Sequence, residues 1–130
     1  MNINNYRRKF LVWLAGLPTA TLAIELKDKS RVQRMYGLIG RIVAVSGKRD
    51  ELASILINGI SGMPGCINYV VARDTVNENA LWITEVWESK DKHQASLSLD
   101  SVQEAIKLGK PLIESFSDRH ETTPLGGHGV

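Results

Sequence analysis

Trp82-Ile83-Thr84-Glu85-Val86-Trp87-Glu88, followed by the polar turn Ser89-Lys90-Asp91, is the stretch on which the fold turns. Alternate side chains of a strand point to opposite sides, so Trp82, Thr84, Val86 and Glu88 share one face, and Ile83, Glu85 and Trp87 share the other. A tryptophan on each face predicts a central strand covered on both sides. A carboxylate beside an indole on a covered face predicts a pocket in place of plain core.

Working upstream, Asp74 to Asn79 is a polar connection, and Cys66 to Arg73 reads as a second strand that forms a hairpin with the first. Before it, Leu52, Ile55, Leu56, Gly59, Ile60 and Met63 recur at helical spacing, and Gly62, Pro64 and Gly65 stop that helix. Tyr36 to Val45 is almost wholly aliphatic and β-branched, a first strand with Arg41 as its single charge. Downstream, Ser89 is positioned to cap a helix running through His93 to Leu99. A second start follows at Asp100 or Ser101, where Ser101-Val102-Gln103-Glu104 fits the capping-box pattern. Gly109 and Pro111 end that helix, and 112–122 is a weaker final strand.

The order β, α, β, β, α, β predicts an α+β domain of the ferredoxin-like, split βαβ type, with two helices on one face of a four-stranded antiparallel sheet. The other face has no cover within the chain, so a second copy closing sheet against sheet, a homodimer, is the simplest remedy. The 130 residues, 43% hydrophobic and 23% charged, suit one such domain plus an extension. We place the domain at 35–125, with an N-terminal extension at 1–34 and a C-terminal tail at 126–130.

Several function classes are excluded. The net charge of +2 and the lack of a basic stripe interleaved with aromatics argue against nucleic acid. One cysteine, Cys66, cannot make an intramolecular disulfide framework or a cysteine zinc cluster, and three scattered histidines give no metal signature. Ser46-Gly47-Lys48 lacks the earlier glycine of a Walker loop, and neither a dinucleotide fingerprint nor a nucleophile elbow occurs.

In the extension, Arg7-Arg8-Lys9-Phe10-Leu11 precedes a short apolar stretch and then small residues, the layout of an export signal with twin-arginine character. A functional signal implies a periplasmic protein; a plain tail implies a cytoplasmic one. Membrane contact is expected only through that segment, which is short of the roughly twenty residues of a spanning helix. Glu25 to Arg31 reads as a solvated linker.

With the first and third strands adjacent, one face gathers Ile39, Arg41, Val43, Tyr69, Arg73, Glu85, Trp87 and Ser117, with Arg41 opposite Glu85. The helix-covered face then takes Tyr36, Leu38, Ile42, Val70, Trp82, Val86 and Phe116. The first set has the make-up of a small-molecule cavity. It equally suits a buried Arg41–Glu85 pair inside a closed dimer. His93, one turn into the helix after the third strand, is either a proton acceptor near neutral pH or a histidine of the helix surface.

Tyr36 to Val45, Ser46-Gly47-Lys48-Arg49-Asp50-Glu51-Leu52, Met63-Pro64-Gly65-Cys66 and above all Glu85-Val86-Trp87-Glu88-Ser89-Lys90-Asp91-Lys92-His93 resemble the antibiotic biosynthesis monooxygenase (ABM) domain, particularly its quinol monooxygenase branch. The resemblance spans 35 to 125. It implies a dimeric α+β barrel and oxidation of a small aromatic substrate, a quinol or phenol, by molecular oxygen without metal, flavin or haem. It also implies His93 as base and Trp87 beside the ring. From the strand faces, Tyr69 takes the other side of the ring, Arg41 or Arg73 stabilises the anion, and Glu85 contributes to binding. Haem-degrading members of the superfamily use a first-strand asparagine and a later helix tryptophan; here Gly40-Arg41 stands in the first strand and no second tryptophan follows Trp87. The alternative from another class is a non-catalytic dimeric protein, ligand-binding or stress-associated, with the same cavity.

Overall fold

The computed structural model describes residues 19–32, 34–60 and 62–130. The paired arginines and the apolar stretch that suggest an export signal lie outside them. Helix α1 (Thr19–Val32) is described by itself. It corrects the linker expected over Glu25 to Arg31: alanine, leucine, glutamate and lysine are strong helix formers, and Glu25 and Lys29 stand four apart in the favourable order. Among the described residues no helix is long and apolar enough to cross a membrane.

The compact unit Val32–Val130 runs β1 (Tyr36–Ala44), α2 (Arg49–Gly59), β2 (Cys66–Arg73), β3 (Ala80–Trp87), α3 (Lys90–Ser96), α4 (Asp100–Gly109), a 3-10 turn (Lys110–Leu112) and β4 (Ile113–Thr122). The four strands form one antiparallel sheet in the order β2-β3-β1-β4. This is the expected split βαβ topology, with β3 central and paired to β2 and β1.

Local chemistry sets the ends of the elements. The Ser89 hydroxyl accepts a hydrogen bond from the Lys92 amide at 3.2 Å and starts α3. That helix stops at Ser96, three residues before the expected Leu99, because the chain tightens into turns in which Ser98 and Leu99 donate to the Ala95 and Ser96 carbonyls. The capping box expected at Ser101 does not form: α4 begins at Asp100, with Leu99 at the cap position and no side-chain cap. Asp100 in the first turn still complements the positive helix end. Gly65, at φ 79°, makes the left-handed turn into β2, and its carbonyl accepts from the Glu88 amide at 2.9 Å, tying that turn to the end of β3.

Two adjoining apolar clusters fill the space between sheet and helices. Ile42, Ala44, Leu52, Leu81 and Ile83 form one; Tyr36, Met63, Trp87 and Val102 form the other, and Tyr69 packs against both. Trp87, Leu52 and Leu81 are the largest fully buried side chains.

The register corrects the expected faces. Tyr36 pairs with Trp87, Leu38 with Glu85 and Ile42 with Leu81, so the odd-numbered residues of β3 lie under the helices with the even-numbered residues of β1. Tyr69 pairs with Glu85 and joins them. Arg41 pairs with Trp82 on the opposite face, so no Arg41–Glu85 pair forms. Trp82, Val86 and Val70, expected under the helices, belong with Arg41, Ile39 and Thr84 on the outer face. Single-strand alternation groups the residues of one strand correctly, but only the register matches one strand's set to the next.

Helices α2 and α4 meet at Gly59, where an added Cβ would overlap the Cβ of Ala105. In an isolated helix Gly→Ala stabilises by about 1 kcal/mol. Here Gly59→Ala is expected to destabilise by about 1–3 kcal/mol, the cost of overpacking a close contact, measured as a lowered urea midpoint with unchanged m-value.

Candidate active site

Between sheet and helices lies a cavity of about 650 Å³. Its sheet side includes Ile42, Tyr69, Glu85, Trp87 and Phe116; Leu52 and Leu56 of α2, His93 and Ser96 of α3, and Val102, Ala105 and Ile106 of α4 close the other side. Most of this lining is aliphatic or aromatic, with a few polar groups, the usual composition of a small-molecule site.

Those polar groups converge at one end. Glu85 and Trp87 stand two apart on β3 and so share a face, and the Trp87 indole N–H donates to Glu85 Oε2 at 2.8 Å. The Ser89 cap turns the chain into α3 immediately after the strand, and the His93 amide, one turn on, donates to the Ser89 carbonyl at 3.2 Å. This returns the imidazole over the strand end, with His93 Nε2 at 3.7 Å from Glu85 Oε2, close but beyond hydrogen-bonding distance. The imidazole meets the edge of Trp87 at 5.3 Å between centroids and tilts across Tyr36 at 5.2 Å. Behind it, Lys90 binds Glu121 at 3.0 Å and lies 5.5 Å from the Tyr36 ring centre, and Arg119 reaches Glu121 at 3.4 Å.

Burial decides the protonation states. It pushes the Glu85 carboxyl above its ordinary range, against the indole hydrogen bond and Arg119, which pull it down. It pushes His93 below the ordinary imidazole range, and the charges of Arg119 and Lys90 act the same way while Glu121 opposes them. His93 is therefore neutral at pH 7 and able to accept a proton. Burial raises the Tyr69 phenol and the Cys66 thiol, with Glu85 adding to both, so both stay protonated at neutral pH. Among the described residues, no three His, Cys, Asp or Glu side chains come close enough to hold a metal ion.

Of the residues singled out from sequence, His93, Trp87, Tyr69 and Glu85 all line the cavity. Arg41 and Arg73 do not. Arg41 bonds Asp74 Oδ2 at 3.0 Å and Ser117 Oγ at 2.9 Å and lies 5.8 Å from the Trp82 ring centre on the outer face. Arg73 pairs with Asp50 at 3.1 Å, at the start of α2. Both are structural ion pairs away from the cavity, which corrects the anion-stabilising role expected of them. Sequence reasoning missed the proximity of Glu85 to His93, because eight residues with a strand end and a cap between them form no recognisable spacing. It also missed Arg119 and Glu121, whose shared face on β4 becomes visible once Gly40 is paired with Arg119 and Leu38 with Glu121.

Residues 35–108 match the protein family described as antibiotic biosynthesis monooxygenase. A crystal structure from Chloroflexus aurantiacus J-10-fl, named for the same family, is 57% identical, covers 72% of this chain and 96% of its own, and superposes with a TM-score of 0.72. A second structure so named, from Caulobacter crescentus CB15, is 16% identical over 77% of this chain and 98% of its own, with a TM-score of 0.66. A conserved protein from Methanosarcina mazei Go1, 15% identical over 73% and 97%, has a TM-score of 0.64. The last two are similar in fold alone. No curated protein matches the chain.

The indole bond to Glu85 is testable by itself. Trp87→Phe keeps an aromatic ring, though a smaller one, and removes the N–H, so the carboxyl loses an interaction that lowers its pKa and is expected to titrate still higher. Carbon-13 NMR of the labelled Glu85 carboxyl reads the shift, and an unchanged midpoint in a folded variant contradicts the assignment.

Proposed function

The chain belongs to the antibiotic biosynthesis monooxygenase family, and from that premise we propose that it oxidises a quinol with molecular oxygen, the substrate itself supplying the electrons. The observation that carries this is a neutral, partly buried imidazole beside Glu85 at the polar end of a largely apolar cavity. The ring lies against Trp87 and Tyr69, and His93 takes a hydroxyl proton. The resulting anion is electron-rich enough to reduce oxygen. One oxygen atom enters the ring and the other leaves as water: hydroquinone plus O₂ gives hydroxyquinone plus H₂O, with no external reductant. Low dielectric around the site strengthens every dipole that faces the anion. Arg119, whose charge acts on both Glu85 and His93, supplies the positive field, whereas Arg41 and Arg73 do not line the cavity.

The active form is a two-fold homodimer closed through the outer sheet face. What supports this is that Ile39, Val70, Thr84 and Val86 share that face, and that among the described residues of the Val32–Val130 unit the helices pack on the other one. Val70 is 46% exposed in the single chain.

Oxygen-electrode assays of metal-free protein with a panel of hydroquinones test the reaction. His93→Ala is expected to retain its circular dichroism and lose about 10²- to 10⁴-fold in turnover, the usual contribution of a general base. In the unaltered protein, activity falls as pH falls, with a midpoint below the ordinary imidazole value of 6.5, because only the neutral form accepts a proton. Ligand binding without oxygen uptake identifies a binding protein instead. Sedimentation checks the dimer: the unaltered chain runs as two copies, and Val70→Asp combined with Val86→Asp runs as one. A monomer before substitution defeats that assembly.

A further inference from the structure

We infer that the substrate of this cavity carries an alkyl chain: a quinol with an aliphatic or isoprenoid substituent, its ring at the His93–Glu85 end and its chain lying along the sheet toward Ile42 and Ile113. The ring assignment rests on the proposed oxidation; the chain subsite rests on the lining alone.

Three observations support it. First, the volume of about 650 Å³ lies in the range of about 300–1,000 Å³ that accommodates drug-sized ligands, well beyond a single bare ring. Second, the polarity is one-sided. Glu85 and His93 sit at one end, whereas the neighbouring stretch is lined by Ile42 and Leu52 of the first apolar cluster and by Leu56 and Ile113, which pack against it. Those four side chains carry no polar atom to meet a second polar group of a ligand, and Lys110, Glu114 and Ser115 line the cavity beyond them; a hydroxyl or amide lying against the four would be buried unsatisfied. Third, the dimensions are those of a corridor. Leu38 pairs with Glu85, and Ile42 lies four residues further along β1, so at about 3.4 Å per residue the apolar part extends about 14 Å from the polar end.

The mouth continues the pattern. Phe116, opposite Ile42 across the β1–β4 ladder, is 71% exposed and lines the cavity, as does the half-exposed Ile106. Large apolar side chains at an opening favour a ligand whose far end is itself apolar. Exposed Lys110 and Glu114 border the same opening, where water solvates them.

Two parallel series test the chain subsite and the chemistry separately. 2-Alkyl-1,4-dimethoxybenzenes have no hydroxyl proton to lose and report binding alone; the matching 2-alkylhydroquinones report binding and turnover. The dissociation constant of the dimethoxy series, measured by calorimetry, is expected to fall roughly two- to fourfold per methylene, as for apolar burial, and to level off once the chain reaches Phe116. The hydroquinones should show the same slope in kcat/KM. Leu56→Phe narrows the corridor and is expected to move the plateau to a shorter chain; if that variant does not fold, Ile113→Phe makes the same test. A dissociation constant independent of chain length overturns the chain subsite, even where bare hydroquinone is oxidised. A steep binding series with no oxygen uptake upholds the subsite and defeats the oxidation.

Discussion

The pairing of Tyr36 with Trp87 fixes most of what this domain can do. In an antiparallel ladder a shift of one residue turns every side chain of a strand to the opposite face. In the observed register Trp87 and Glu85 point at the helices and Trp82 points away. Trp87 fills the second core cluster with Tyr36, Met63 and Val102, and packing one large indole there is strong enough to hold the register. The cost is that Glu85, two residues before it, must be buried too. The indole N–H compensates part of that cost by donating to the carboxylate, so the residue that enforces burial also satisfies the buried group.

The site is consequently a place where folding and function pull apart. Glu85 titrates above its ordinary value of 4.5 in the fold, so its contribution to stability is fully present below that pH and is lost as pH rises through the folded value. His93 titrates below 6.5, so its contribution is present above that value and is lost as pH falls through the folded one. At neutral pH His93 is in the form the fold prefers, while an ionised Glu85 is in the form it resists. An apolar residue at 85 would remove the buried carboxylate but leave the Trp87 indole N–H without its acceptor.

How much of this was legible in the sequence follows from the range of each signal. Strand β2 and its hairpin to β3, the Ser89 cap and the overall order of elements rest on contacts a few residues apart, and local patterning is enough to find them. The family fragment from Glu85 to His93 drew attention to the residues that meet at the polar end of the cavity. The pairing of faces was not legible, because alternation assigns residues to two sides of one strand without saying which side of the neighbour matches. Arg41 was misplaced for that reason: an arginine in an apolar strand looks like part of a site, and its true partner, Asp74, lies in a loop that reads only as a polar turn. The second helical start at Asp100 was legible, but the earlier end of α3 at Ser96 was not, because it is set by turn hydrogen bonds that no spacing announces; α1 was hidden by a charge pattern that suits a linker and a helix equally well.

The outer face nevertheless acts on the cavity. Asp74 Oδ1 accepts the amides of Val76 and Asn77 at 2.8 and 2.9 Å, while its Oδ2 accepts from Arg41 and from the Trp82 indole at 2.9 Å. These bonds hold the carboxyl far below the usual range, so it stays ionised and keeps Arg41 fixed over Trp82. Arg41 then bonds Ser117, where the β1–β4 register slips by one residue: Arg41 pairs with Asp118 but Ile42 with Phe116. Without that bulge, Ile42 would pair with Ser117 and Phe116 would point away from the helices. The extra residue lets Ser117 reach Arg41 on one side and Phe116 line the cavity mouth on the other. The ion pair on one face and the aromatic at the entrance on the other thus meet at a single irregularity of β4, which links the outer face to the cavity through the backbone of that strand.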